Sequence, residues 1–269
     1  MTSVLVHRIP MFGLLAVSAC ALSACEGGNM QINGQEGVPL SQLEMTGAAP
    51  SEVVLASGDT VIVSDGTTFS VKVEGTDTDS LRFVRDGAVI GVTRVDGWEG
   101  EPNATVRITM PPPREVVIAG SGTIRAQSLA PTADVSIGGA GTVEFGRVAA
   151  EKLGINIGGS GTVRGAGTAR QLEVLIGGTG DVAMPGLKAE SAEVSIGGNG
   201  DVEFASDGTV EANIGGAGDV KVSGSAKCTV NSFGSGTLTC SPSAALPAPA
   251  AAAAPAAPAV PVAPARTAQ

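Results

Sequence analysis

Between Ile118 and Thr239 a Gly-x-Gly unit recurs seven times: Gly120 and Gly122, Gly139 and Gly141, Gly159 and Gly161, Gly178 and Gly180, Gly198 and Gly200, Gly216 and Gly218, Gly234 and Gly236. Successive units lie 19, 20, 19, 20, 18 and 18 residues apart. A period of this length, held over so many copies, is the sequence signature of a solenoid in which each copy forms one coil and touches only its neighbours.

Within a repeat the local pattern is that of strands. In DVSIGGAGTVEFG, residues 134 to 146, apolar side chains alternate on both sides of the glycines: Val135 and Ile137 before them, Val143 and Phe145 after. The next coils keep this parity, with polar residues between, so one face is predicted buried and the other wet. Gly-x-Gly without Cβ atoms suits a tight corner, through positive φ angles or through close approach of the next coil. Such units also make two-residue hairpins. The connections RVAAEK, GAGTARQ, PGLKAES, ASDG and SGSAK vary in length and chemistry, which favours a coil over an antiparallel meander. One repeat buries too little to hold itself together; its strands need neighbours above and below.

After each corner stands Thr123, Thr142, Thr162, Asp181, Asp201, Asp219 or Thr237. Stacking would place Asp181, Asp201 and Asp219 about 4.8 Å apart. Such a carboxylate column reads either as a cation site or as side-chain oxygens accepting backbone N–H groups at the corner. Interchange of Thr with Asp favours the second. The phrase GGxGD also departs from the calcium-binding nonapeptide by one position and by twice its period, so no metal is assigned.

Residues 1–24 have a basic start (His7, Arg8), an apolar run from Phe12 to Leu22, and then Leu22-Ser23-Ala24-Cys25, the form of a secretory signal. Val17-Ser18-Ala19-Cys20 fits a cleavage site less well, and an ordinary signal with an incidental Cys25 is a further alternative. Beyond it no apolar run reaches transmembrane length. The remaining chain carries 15 Lys and Arg against 26 Asp and Glu, a net charge of −11. That balance argues against nucleic acid and anionic lipid as partners. The one histidine leaves with the signal and there is no tyrosine. Imidazole catalysis and aromatic stacking platforms are therefore hard to build.

Residues 25–46, rich in Gly, Asn and Gln, read as a tether. From Ser51, EVVLAS, TVIVSD, TFSVKVEG, SLRFVRDGAVIGVTRV and ATVRITM read as strands, with a turn at Asp86-Gly87 and a break at Pro111-Pro112-Pro113. Lacking the repeated corner, they are expected to be irregular first coils that cap an open edge. Cys228 and Cys240 fall on the inward parity of the last coil, and in an oxidising compartment they are expected to pair. Facing sheets lie about 10 Å apart and a disulfide needs Cα atoms within about 7 Å, so that coil must pinch. Residues 241–269, alanines broken by seven prolines, are expected to be disordered with polyproline II character.

Residues 47–240 resemble the bacterial head GIN domain family, an auto-transporter adhesin domain. The resemblance is carried by the opening strands leading to Val116-Val117-Ile118-Ala119-Gly120-Ser121-Gly122 and by the serial Gly-x-Gly followed by Thr or Asp and Val. It implies an all-β, right-handed, single-stranded parallel β-helix, a role in adhesion, and no catalytic residues or cofactor. The signal likewise resembles that of a bacterial lipoprotein, which implies acylation at Cys25. Glu26 after it implies the outer membrane of a Gram-negative envelope, with the leaflet open. The function expected is a non-enzymatic, lipid-anchored module contacting an envelope protein or glycan, its oligomeric state open. The alternatives are a β-helical polysaccharide lyase using Asp201, Asp219 and Lys221, and an envelope scaffold or stress sensor. The row Glu173, Glu193, Glu211 and the Thr/Asp edge are candidate contact faces.

Overall fold

The computed structural model describes residue 32 and residues 34–241. The signal, Cys25 and the Ala/Pro tail from residue 242 lie outside the described residues. Strands β1 (Glu52–Leu55) and β2 (Thr60–Asp65) form one coil, and β3 (Ser70–Glu74) and β4 (Leu81–Asp86) follow. A second coil is β5 (Val89–Arg94) with β6 (Thr105–Met110), and a third is β7 (Glu115–Ile118) with β8 (Thr123–Ala126). The regular coils then run through β9 (Thr132–Ile137), β10 (Thr142–Ile157), β11 (Thr162–Ile176), β12 (Asp181–Ile196), β13 (Val202–Ile214), β14 (Val220–Ser223), β15 (Lys227–Ser232) and β16 (Leu238–Ser241).

These strands stack in parallel as a β-solenoid of about 19 residues per coil. One face is built from β5, β1, β7, β9, the second halves of β10 to β13, and β15. The opposite face is β6, β2, β8, the first halves of β10 to β13, then β14 and β16. Equivalent residues stack in columns. Val53, Val116, Val135, Ile155, Val174, Val194 and Ala212 form one inward column, and all of them are buried. Ile118, Ile137, Ile157, Ile176, Ile196 and Ile214, each just before a corner, form another. Coil length varies by one or two residues, and the register shifts that absorb it fall at the corner opposite the glycines, as between Glu144 and Arg147.

Antiparallel pairing, disfavoured for the repeats, does occur, and among the described residues only at the start. β3 lies antiparallel on β6 and β4 antiparallel on β5, the latter through a hairpin that turns at Gly87 and Ala88, one residue past the predicted Asp86-Gly87, with Gly87 at φ +54°. The early strands are thus two true coils plus two covering strands. Spatial order is also exchanged: β1 lies between β5 and β7, and β2 between β6 and β8. The coil made first in sequence is therefore second in space, which no periodicity could announce.

The stretch read as a tether packs from Ile32 onward. Ile32 is buried against Val54, Val84, Val89 and Val117 on the outer side of the sheet, Val38 bridges Phe83, and Leu43 joins the main core. Val54 and Val117 break the polar-outward rule because this segment covers them.

Candidate functional site

The corner column is a continuous backbone ladder. The residue between the glycines donates to the first glycine of the coil before: Ala140 to Gly120, Ser160 to Gly139 and Thr179 to Gly159, at 3.0–3.1 Å. None of the fourteen repeat glycines has positive φ, which removes one of the two reasons offered for them. Close approach is the reason that stands, and it applies to both members of each pair. Among the first members, a Cβ on Gly139, Gly159, Gly178, Gly198, Gly216 or Gly234 would overlap the carbonyl oxygen of the first glycine one coil earlier. Among the second members, a Cβ on Gly141 would lie 2.6 Å from the Gly122 carbonyl oxygen.

The same holds for Gly161, Gly180, Gly200, Gly218 and Gly236, where a Cβ would strike the carbonyl oxygens of Gly141, Gly161, Gly180, Gly200 and Gly218 respectively. These second glycines also sit against the pre-corner isoleucine column, so a Cβ on Gly161 would collide with Ile137, and one on Gly236 with Ile214. The first pair, Gly120 and Gly122, meets the Ser57 and Asp59 backbone instead, because β1 and β2 lie beneath it. The residue before each pair is freer, since a Cβ on Gly197 meets nothing nearer than 3.8 Å; Ala119 and Phe233 occupy that column in the first and last units.

The post-corner residues separate the two readings of the Asp column. Thr142, Thr162 and Asp181 donate their N–H to glycine carbonyls of the coil before. From there on the carboxylates take over as acceptors. Asp181 Oδ1 accepts the Asp201 N–H at 3.2 Å, Asp201 Oδ1 the Asp219 N–H at 2.8 Å, and Asp219 Oδ1 the Thr237 N–H at 3.1 Å and hydroxyl at 2.7 Å. The Thr237 hydroxyl and N–H hold the Asp219 carboxyl below the usual range. Among the described residues no group of three or more His, Cys, Asp or Glu is arranged to hold a metal ion. Lys221, the third member of the lyase reading, lies in register with Glu203 on the outward side of β14.

The two broad faces differ in charge. On the β14/β16 side Arg125, Glu144 and Arg164 are consecutive rungs, with ion pairs at 2.8 and 3.8 Å. The opposite face carries an acidic column: Glu52, Glu115 and Asp134, then Gly154, then Glu173, Glu193 and Glu211. Lys152 reaches Glu173 at 3.0 Å. Partial burial, then repulsion from Glu52 and Asp134, pushes the Glu115 carboxyl up. The predicted row Glu173, Glu193, Glu211 is thus real and outward.

At the corner opposite the glycines, a groove of about 370 Å³ runs over Ala150, Ala169 and Ala189 between Arg170, Glu190 and Asp207. Lys188 and Asp207 pair at its rim at 2.5 Å. That bond first, and then the Ser225 N–H and hydroxyl, lower the exposed Asp207 carboxyl to about 2.

Sequence reasoning missed a buried ion pair. Asp59, 1% exposed, takes the Arg94 guanidinium bidentately at 2.7 and 2.5 Å, the Ser57 hydroxyl at 2.8 Å and the Ala104 N–H at 3.0 Å. Arg94 also donates to Ser80 and to the Asp77 carbonyl, and stacks under Trp98 at 3.7 Å. The signal was one charged residue closing the apolar run VIGVTR. The pair pins the two coils whose order is exchanged, and its hydrogen-bonding groups are turned inward onto the protein itself.

Cys228 and Cys240 meet across the last coil with Cα atoms 6.7 Å apart and sulfurs at bonding separation. The pinch expected from sheet spacing is present.

Parallel coils, in-register outward columns and a glycine corner define a β-solenoid of the adhesin-head type. The chain belongs to the family described as "Putative auto-transporter adhesin, head GIN domain", whose model matches residues 49–226. The match ends before β15, which carries Cys228. A crystal structure of a "putative adhesin" from Bacteroides fragilis is similar at TM-score 0.64 and 19% identity, over 71% of this chain and 92% of that one. A "putative lipid binding protein" from Parabacteroides distasonis gives 0.55 and 17%, over 72% and 93%. A "putative adhesin" from Parabacteroides merdae gives 0.52 and 16%, over 73% and 93%. At these identities the likeness concerns the fold. No curated protein matches the chain.

Proposed function

We propose that this chain is a non-enzymatic, lipid-anchored module of the cell envelope that presents a rigid β-solenoid for adhesive contacts with an envelope protein or glycan. The observation that carries this is the set of outward columns: Glu173, Glu193 and Glu211 hold one register on a flat face, as extended binding surfaces of solenoids do. Similarity to structures named as adhesins supports the same reading. The Asp201 and Asp219 carboxylates that a lyase would need instead accept backbone N–H groups.

The anchor is Cys25 under this reading, on the outer membrane. Ile32 is docked on the sheet seven residues later, and seven residues span at most about 25 Å. The N-terminal coils therefore sit close to the lipid and the last coil points away. The cysteine pair, bonded in that compartment, closes the far end.

Crosslinking in intact envelopes followed by pull-down of the lipidated protein tests the partner. Specific capture that weakens when Glu173, Glu193 and Glu211 are changed together to Gln is expected. Absence of any affinity for cells, peptidoglycan or envelope proteins would sink the proposal. Incorporation of labelled fatty acid, lost in Cys25→Ser and retained in Cys20→Ser, tests the anchor.

A further inference from the structure

The two ends of the rod are finished differently. At the N-terminal end the outermost strands are antiparallel covers bearing charge: Lys72 and Glu74 on β3, Arg82, Arg85 and Asp86 on β4. Val38 bridges part of the outer edge of β4. At the other end, among the described residues, β15 pairs only with β13 and β16 only with β14. Their outer edges, six and four residues long, carry unused N–H and C=O groups.

The core is open at this end as well. Val230 continues the buried column of Val194 and Ala212 yet is 46% exposed, since among the described residues no further strand lies over it. Phe233, in the column where the five units before it have Gly, is 91% exposed. From Cys228 to Ser241 there is no charged residue, in a chain of net charge −10.

We infer that this end is a homotypic docking surface, occupied by the same end of a second copy. A partner must offer two strand edges at the spacing of one coil, over an apolar opening, and the C-terminal coil of another copy does so. The N-terminal end does not, being covered and charged. A two-fold axis across the rod sets the partner's strands antiparallel to β15 and β16, the better-paired arrangement, and closes the assembly at two copies. In a two-fold contact each surface meets itself, so an acidic protein repels itself everywhere except where it is neutral. Residues 228–241 make the whole of this end such a place, whereas the uncharged corner segments along the rod are flanked by charged columns.

The contact is small. Strands of about 20 Å on faces about 10 Å apart give a footprint on the order of 400 Å² per copy once side chains are included, below the roughly 1,200 Å² total of standard stable complexes. It is a weak, reversible contact, and anchored copies can make it only where two membranes that carry them face each other. The Pro-rich tail is a poor competitor for the edges, since proline has no N–H to add to a ladder. The inference does not depend on the adhesive reading, because two rods can meet in solution without lipid or any other partner.

Sedimentation equilibrium on residues 25–269 with Cys25→Ser tests it. The expected result is a monomer–dimer equilibrium in the micromolar to millimolar range, weakened at least tenfold by Thr229→Glu with Thr239→Glu and unaffected by removal of residues 242–269. Hydrogen exchange on the unsubstituted protein supplies a second measurement: β15 and β16 amides gain protection as concentration rises. A chain that stays monomeric at millimolar concentration overturns the inference. So does association that ignores the two glutamates, or that requires the tail, or that leaves β15 and β16 amides unchanged.

Discussion

Asp201 Oδ1 accepts the backbone N–H of Asp219 at 2.8 Å, one coil further along the rod. A side chain thus replaces the glycine carbonyl that serves the same purpose in earlier coils, where Thr142 donates to Gly122. Asp201→Ala removes this acceptor and should cost roughly 0.5–1.5 kcal/mol, read as a lower midpoint in urea. Asp201→Asn retains an acceptor and should recover most of the loss.

Because those oxygens are engaged, calcium has little to gain at the column. Addition of calcium at millimolar concentration should leave the melting temperature unmoved. A concentration-dependent rise would restore the cation reading, since a ligand that binds the folded state raises its stability.

Gly197 and Gly198 are neighbours with opposite tolerances. A Cβ on Gly198 meets the Gly178 carbonyl oxygen, whereas one on Gly197 stays 3.8 Å from anything. Gly198→Ala should destabilise by roughly 1–3 kcal/mol, and Gly197→Ala should be neutral or stabilise by up to about 1 kcal/mol. Equal effects in denaturant melts would contradict the close-approach account of the repeat.

Asp59→Ala leaves the Arg94 charge buried without its carboxylate, and loss of one partner from such a pair costs about 3–5 kcal/mol. Hydrogen exchange should locate the damage in β1, β2, β5 and β6, with the regular coils from β10 onward still protected.

Two carboxyls give opposite pH signatures. Glu115 is raised by burial and by Glu52 and Asp134, so its charge opposes folding at neutral pH and the penalty fades as pH falls through its folded value. Glu115→Gln should therefore stabilise at pH 7, with the gain shrinking as the solution is acidified. Asp207 is lowered to about 2 by Lys188 and Ser225, so its contribution is present above the ordinary carboxyl range and disappears as pH drops toward 2. NMR titration of the two carboxyls checks both directions.

What the sequence made legible was whatever repeats. Column, corner and inward parity follow from period two and period nineteen, and even the inward placement of Cys228 and Cys240 could be read from parity. The reason for glycine was left double, positive φ or close approach, because both need a missing Cβ; the backbone angles and the carbonyls stacked beside Gly198 and Gly200 separate them. Arg94 with Asp59 stayed hidden because the partners are 35 residues apart, one ending a strand and the other in a corner, where no repeat links them. Ile32 hid for a related reason: one apolar residue in a polar stretch has no period, and what it covers, Val54 and Val117, is known only once the coils are stacked.

The exchanged order of the first two coils bears on how the chain is born. The strands β1 and β2 emerge early, but β8, which must lie against β2, starts at Thr123 when β2 starts at Thr60. This segment can pair with β5 and β6 as they follow it, but its other side stays open until β7 and β8 are made. In the uniform middle of the rod adjacent turns are also adjacent in sequence, and no such wait arises. The N-terminal end, first to be made, is finished only after the third coil has formed.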